Sequence, residues 1–474
     1  MASDQHPADR PAAVRLPLSA AQRDIWLAHD ADRTGRRYTI GDSREILGPI
    51  DADVLADSWY QLAREADVLR IRGTEQDDDG IWQLIDPEPG DRRLVRVDVS
   101  EADDPLAAAR AWMAADIAVP VDLAGGRLSS HALLKLADDR FVYYQSYHHL
   151  LVDGMGAALL DSRLIELYEQ AMAGEPWGPS PFGALADVLA EDSGYRASPS
   201  AADDRAYWSE RLADLPETPR IGEGRTAGHE QTATPFVRRT VFVDSADTEL
   251  IKTFARGRRA PWTMLVVALV AAYVHRAGGG HDELVLGLPI TGRTTELGRR
   301  TPSMSSNVLP VRVRVGRGES FADLVAAVVR EVRAGLKHQR TRYEDMCRDL
   351  GIDKSERRIT APLVNIMAFV PGITFGGHPT IQHNLSNGPV EDLAIAVYDL
   401  GPELGLRIDF DAAPEVCDLD AIAAHQDRFR RFIDTALAAP ESPLGALPVL
   451  DAEERRSVLS VWNGAAADVE DASL

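Results

Sequence analysis

Residues 141–173 carry three local signals in a fixed order, and together they leave few folds open. The run FVYYQSY, residues 141–147, is aromatic and β-branched and has the character of a strand. HHLLVDG, residues 148–154, follows at once, and its Asp153–Gly154 pair punctuates a turn. Met155, Leu159, Leu160, Leu164 and Leu167 then recur at helical spacing, which predicts a helix over residues 155–173. Two histidines therefore stand in a loop between a strand and a helix, where a rigid element can aim side chains into a cleft.

Histidine is the side chain whose charge changes nearest neutral pH, so this pair is a candidate for acid–base work. On its own, a histidine pair at a strand end is more often two hydrogen-bonded structural side chains. His149 and Asp153 at i, i+4 could share a metal, but no third ligand lies nearby.

The length of 474 residues exceeds one ordinary core and predicts two domains or lobes. Acidic residues outnumber basic ones by 74 to 51, a formal charge of −23, which argues against nucleic acid or an anionic membrane as a partner. Cys347 and Cys417 are far apart and suggest neither a disulfide framework nor a zinc site, which fits a reducing cytoplasm. The longest apolar run, residues 264–274, is too short to span a bilayer, and no N-terminal signal is recognisable.

Along the chain, residues 1–15 read as a disordered polar leader. Ser19 is placed to cap a helix carrying Ile25 and Trp26, and Asp51 to cap a second helix through Glu65. Residues 68–73, VLRIRG, have the alternation of a strand bearing Arg70 and Arg72, and residues 128–136 read as another strand. Glycine, proline and serine accumulate from 174 to 200, which places a lobe boundary there. Expected boundaries are a first lobe over 16–177, a linker over 178–202, a second lobe over 203–450 and a connector over 451–474. In the second lobe the expected strands are 236–243, 284–289, 379–385, 393–399 and 406–410. Expected helices there include 246–256, 261–276, 320–339 and 418–437.

HHLLVDG resembles the HHxxxDG signature of the condensation domains of nonribosomal peptide synthetases, which related epimerisation domains share. Other stretches resemble that family's motifs in the same order: LPLSAAQRDIWLAH near the start, SNVLP in residues 303–315, HQRTRYEDM at 338–346 and TAPLVNIMAFV at 360–370. The fourth motif, between Gly183 and Trp208, matches only in Tyr207 and Trp208. EERRSVLSVWN near the end resembles the connector to an adenylation domain.

The resemblance implies a mixed α/β fold (α+β) of two chloramphenicol acetyltransferase-like lobes forming a V-shaped pseudo-dimer. It also implies amide formation between a carrier-bound acyl donor and the amine of a carrier-bound aminoacyl acceptor. His149 would act as general base or as a positioning group for the amine, with His148 beside it in a structural role. Gly154 would make a tight turn and offer a possible oxyanion donor. Asp153 would be scaffold, paired with Arg70 or, failing that, Arg72. Tyr147, Ser306 and Asn307 would line the substrate tunnel.

No cofactor or metal is expected on the domain itself, since its substrates ride on the phosphopantetheine of carrier proteins. The implied partners are a donor carrier, an acceptor peptidyl carrier and a downstream adenylation domain. Arg256, Arg258 and Arg259, or Arg428, Arg430 and Arg431, would receive an acidic carrier. YHHLLVDG, SNVLP, PLVNI and NGPVEDL look most like the N-terminal condensation domains of enterobactin-type synthetases. That likeness, with a chain that starts at Met1, favours an aryl or other amine-free donor over a peptidyl one. The alternatives are a coenzyme A dependent acyltransferase of the HxxxD type and an inactive carrier-docking module.

Overall fold

A computed structural model describes residues 12–32, 34–217, 236–352, 359–368, 374–390, 392–414 and 416–461. The hydrophobic residues segregate into two principal cores. The first gathers Leu55, Trp59, Tyr143, Leu160 and Leu164, and the second Leu269, Val270, Leu286, Val328 and Phe432.

The first core lies on a five-stranded sheet whose spatial order is β12 (Thr380–Asn387), β2 (Thr39–Ile46), β7 (Arg140–His148), β6 (Ser129–Ala137) and β5 (Val95–Asp98). The pairing is antiparallel except between β5 and β6. Strand β7 is buried from Phe141 to His148, which is why its sequence shows no polar alternation. Successive residues still point to opposite faces. Tyr143 and Tyr147 enter the first core, while Val142 and Tyr144 pack on Ala109 and Met113 of the helix Pro105–Ile117 behind the sheet. A small sheet of β1 (Val14–Pro17), β4 (Gly80–Ile85) and β3 (Ile71–Asp77) lies apart from it.

The second core lies on a six-stranded mixed sheet in the order β10 (Asn307–Arg314), β9 (Glu283–Ile290), β11 (Leu363–Met367), β13 (Leu393–Asp399), β14 (Leu406–Ala412) and β8 (Val237–Val243). Its central helix, Trp262–Ala277, is buried from Leu265 through His275, and so accounts for the longest apolar run as core. Among the described residues no single helix is long and apolar enough to cross a membrane.

The expected caps are present. Ser19 accepts from the Gln22 amide in a full capping box, and Asp51 accepts from Asp53 and Val54. Four expectations need correcting. The leader ends earlier than residue 15, because β1 already pairs Val14 and Arg15 with Ile85 and Leu84. Residues 67–70 form a 3-10 turn, and the strand begins only at Ile71, with a register shift before Gly73. The stretch 178–202 is not an extended linker: the helix Leu185–Arg196 sends Leu185 and Leu189 into the first core. The next helix, Pro199–Arg211, puts Trp208 into the second. Finally, β12 belongs by sequence to the second half but completes the first sheet, pairing Thr380 with Ile46 and Asn387 with Ile40.

Candidate active site

Strand β7 ends at His148, and the helix Gly154–Met172 begins six residues later, so HHLLVDG is the turn between them. Asp153 caps that helix by accepting from the Gly156 amide at 2.8 Å. Its other oxygen, Oδ2, accepts from Arg293 at 2.7 Å and from the amides of Ser305 at 3.0 Å and Ser306 at 2.8 Å. Burial pushes the Asp153 carboxyl up, but the Arg293 guanidinium and these hydrogen bonds outweigh it and hold the group below the usual carboxylate range. Arg293 donates further to the Ser303 carbonyl at 2.8 Å. Gly156 carries the same contact, since a Cβ there would lie 3.0 Å from the Ser303 carbonyl oxygen. The motif thus ties the first core to the second.

The partner of Asp153 is Arg293, not the expected Arg70 or Arg72. Arg70 turns away into its own neighbourhood, paired with Asp67 and donating to the Asp86 and Pro87 carbonyls at 2.9 Å each. Arg72 reaches Asp86 at 3.4 Å. Because residues 67–70 are helical and not extended, the side chain of Arg70 does not follow a strand towards the motif. The signal for Arg293 lay in the Gly- and Arg-rich loop 290–301, whose arginines have no distinguishing local pattern. That loop also holds a short helix, Glu296–Arg300.

His149 donates its backbone N–H to the Tyr38 carbonyl at 2.7 Å. Its ring Nδ1 lies 3.1 Å from the Val152 carbonyl, a contact only a protonated Nδ1 can use, so Nε2 carries the lone pair. Burial lowers the ring's affinity for a proton; the Asp153 carboxylate and the Val152 and Asn387 carbonyls oppose this, and the net shift is downward. The imidazole is therefore neutral near pH 7 and able to accept a hydrogen bond. Gly388, at φ +90°, packs on this ring so closely that a Cβ would sit 3.0 Å from Cδ2.

His148 is buried, its Nδ1 accepting from the Leu150 amide and its Nε2 standing 3.1 Å from His29 Nδ1. Burial, with His29 and His149 adding to it, drives its pKa well below the usual value. Both its nitrogens are used, which makes it structural.

Other predicted residues fall around this centre in unequal ways. Gly154 is the first residue of its helix and an added Cβ would meet nothing within 4 Å, so the tight-turn requirement expected of it is not seen; the glycine that close packing demands is Gly156, against Ser303. Tyr147 is sealed in the first core, its hydroxyl on Gln145 at 2.9 Å and its ring edge-on to His131, which removes it from a tunnel wall. Asn307 is a fastener: its amide donates to the Gln339 and Thr341 carbonyls and accepts from the Tyr343 amide. Ser306 arrives beside the motif through its amide on Asp153, while its carbonyl accepts from Arg342 at 2.6 Å.

Arg342 also reaches Asp24 at 2.9 Å, a second tie between the halves. Burial and Glu344 push the Asp24 carboxyl up to about 7 against the pull of Arg342. The weak fourth motif has a role too. Tyr207 stacks on His338 with centroids 3.9 Å apart, and Trp208 donates to the His338 carbonyl. Among the described residues no cluster of metal-ligating side chains is found.

Two mixed sheets with separate cores, joined where a buried His–Asp loop ends a central strand, are the architecture of paired chloramphenicol acetyltransferase-like lobes. A model of the condensation-domain family matches residues 13–459, and the chain belongs to that family. Its members catalyse amide bond formation, an acyl transfer between carrier-bound substrates.

The chain is 39% identical to the isonitrile lipopeptide synthase of Streptomyces coeruleorubidus over 92% of its length, and 36% identical to the dimodular nonribosomal peptide synthase of Bacillus subtilis (strain 168) over 97%. It spans only 30% and 19% of those two proteins. Enterobactin synthase component F of Escherichia coli O157:H7 matches at 28% identity over 92% of the chain and 33% of its own length. Among solved structures, the starter condensation domain of rhizomide synthetase RzmA with C8-CoA superposes with a TM-score of 0.85 at 34% identity, covering 92% of this chain and 98% of that one.

Proposed function

We propose that this domain joins an amine-free starter acyl group, aryl or fatty, from a carrier-bound thioester to the α-amine of an aminoacyl group on a second carrier. An ammonium cannot attack a thioester, so the acceptor must present its lone pair to the carbonyl. The observation that carries the reading is the orientation of His149, whose Nδ1 faces the Val152 carbonyl and whose Nε2 is left to accept from the amine. A ring whose pKa is lowered is in the form this requires at neutral pH. His149 then aligns the amine and takes its proton as the C–N bond forms and the thiolate leaves. Ser306, beside the motif, is its neighbour on the tunnel side.

The amine-free donor is supported by the relatives: one is a starter domain in complex with C8-CoA, and another is enterobactin synthase component F. The deciding experiment presents benzoyl, octanoyl and aminoacyl donors on one carrier, and octanoyl-CoA free, against one loaded acceptor. Preference for the aminoacyl donor overturns the donor class. Turnover of free acyl-CoA without a carrier favours the coenzyme A reading.

The carriers are read as docking at local basic surface. Arg428 and Arg431 are occupied by Glu454 at 2.7 and 2.9 Å, and Arg430 by Asp434 and Asp247, so this cluster holds the helix Ala452–Arg456 of the expected connector. In the first cluster Arg256 is paired with Glu249 and Arg258 with Glu441 at 2.8 Å, but Arg258 and Arg259 also border a groove lined by Phe254, Val329, Arg330 and Arg333. An apolar floor rimmed by arginines suits an acidic carrier helix, and this is the docking surface we favour. The buried thiols of Cys347 and Cys417, neither of them in a disulfide, fit work in a reducing cytoplasm.

A further inference from the structure

The peptide that follows His149 is gripped from both sides by one helix, Ala20–Asp30. Gln22 donates its side-chain amide to the Leu150 carbonyl at 3.1 Å. The Leu150 N–H donates to His148 Nδ1 at 3.1 Å, and His148 Nε2 lies 3.1 Å from Nδ1 of His29 in the last turn of the same helix. These contacts determine where the protons are. Since His148 Nδ1 accepts, its proton is on Nε2, and that proton must be received by an unprotonated Nδ1 on His29. The remaining nitrogen of His29 then carries hydrogen, and hydrogen bonding to the Val121 backbone favours protonation of the ring. A chain of hydrogen bonds thus runs from the Leu150 amide through two neutral imidazoles.

We propose that His29 is a positioning residue for the amide-forming step: by accepting from His148 it fixes that ring's tautomer, and through it the Leu150 peptide and the placement of His149. The inference rests on the reading of His149 as the group that aligns the amine. Its chemical requirement at position 29 is one acceptor facing β7 and one donor facing Val121, with no net charge. A protonated His29 meets a second donor head-on, so the arrangement fails in acid. The ionisable groups that bias His29 are Asp32 just beyond its own helix, Asp30 at that helix's end, Asp122 beside Val121 and His148 itself. Burial lowers the His29 pKa and the aspartates oppose that, leaving the ring neutral at physiological pH.

Glutamine supplies the same acceptor and donor without titrating; leucine fills similar space and supplies neither. His29→Gln is expected to keep kcat within about threefold of the parent, less than the kinetic worth of one neutral hydrogen bond. His29→Leu is expected to lower kcat roughly 10- to 100-fold, the scale of a small misplacement, with KM for both loaded carriers unchanged. Equal activity of the glutamine and leucine variants, whether both high or both low, overturns the proposal. If the parent itself forms no amide from loaded carriers, the functional reading fails instead. A measurement that needs no variant runs alongside: ¹⁵N-histidine NMR of the parent should show His148 with Nε2 protonated and His29 with Nδ1 unprotonated. A His29 carrying its proton on Nδ1 at pH 7.5 removes the relay.

Discussion

Asp153 and Arg293 meet at 2.7 Å with almost no exposure, one capping a helix on the first core and the other rising from a loop of the second. The carboxylate also gathers three backbone amides, from Gly156, Ser305 and Ser306. Removing one partner of such a pair strands the other in a low-dielectric interior, at a cost on the order of 3–5 kcal/mol. Asp153→Ala and Arg293→Ala should each melt far below the parent, and a double-mutant cycle should show strong coupling between them. The same cycle between Asp153 and Arg70 should show none, because Arg70 is bound to Asp67 and the 86–87 carbonyls. Coupling of Asp153 to Arg70 would refute the geometry.

The two motif histidines should separate cleanly. On the proposed role of His149 in aligning the amine, His149→Ala is expected to lower kcat by ~10²- to 10⁴-fold while the melting temperature hardly moves. His148→Ala deletes a buried side chain that uses both nitrogens, so it should lower the melting temperature first. Calorimetry together with steady-state rates on loaded carriers checks both.

Gly388 is the expected weak point next to His149. At φ +90° any other residue is strained, on the order of 1–3 kcal/mol, and a Cβ would crowd the imidazole, standing 3.0 Å from its Cδ2. Gly388→Ala should fold with reduced stability and lose up to about 100-fold in kcat. An alanine variant with parental kcat would mean that the ring position does not matter to turnover.

Acid should destabilise the domain through its buried histidines before it reaches Asp153. Burial lowers the His131 pKa to about 3, far below the unfolded value of about 6.5. Across that window the unfolded chain takes up a proton that the fold refuses, so stability falls as pH drops below about 6.5. Asp153 has a depressed pKa and keeps its contribution until pH falls below about 4. Asp24 and Asp42, raised to about 7 chiefly by burial, act in the opposite sense, losing stability as pH rises towards 7. His131→Gln leaves those carboxylates in place, so its melting temperature should drop less than the parent's between pH 7.5 and 5. An equal drop would show that His131 is not the titrating group.

Charge reversal of Arg330 and Arg333 should raise KM for one loaded carrier several-fold and leave kcat alone, since steering acts on encounter. Arg428→Glu, which breaks a bridge to Glu454, should change thermal stability and not KM.

Most elements were legible because their signals are local. The caps Ser19 and Asp51, the apolar helix Trp262–Ala277 and the doubly buried β7 declare themselves within a few residues. So did the motif loop between β7 and its helix, with His148 held on both nitrogens. What stayed hidden was set by distant partners. Arg70 and Arg293 look alike in sequence, and only the 3-10 turn at 67–70 turns the former away. Asn307 reads as polar tunnel lining until its three backbone contacts to 339–343 are seen. Gly154 and Gly156 are two residues apart, yet only the second faces Ser303.

Strand β12 bears on how this chain is made and on how it can be cut. Among the described residues, the outer edge of β2, residues 39–46, is paired by residues 380–387. During synthesis the first sheet therefore leaves the ribosome with an open edge, which stays a target for mispairing until almost the whole domain has emerged. A fragment ending anywhere between the lobes inherits that open edge permanently. Exchange of one half between synthetases must either carry the strand along or find a recipient whose own strand fits β2. The heritable unit here is the pair of lobes together.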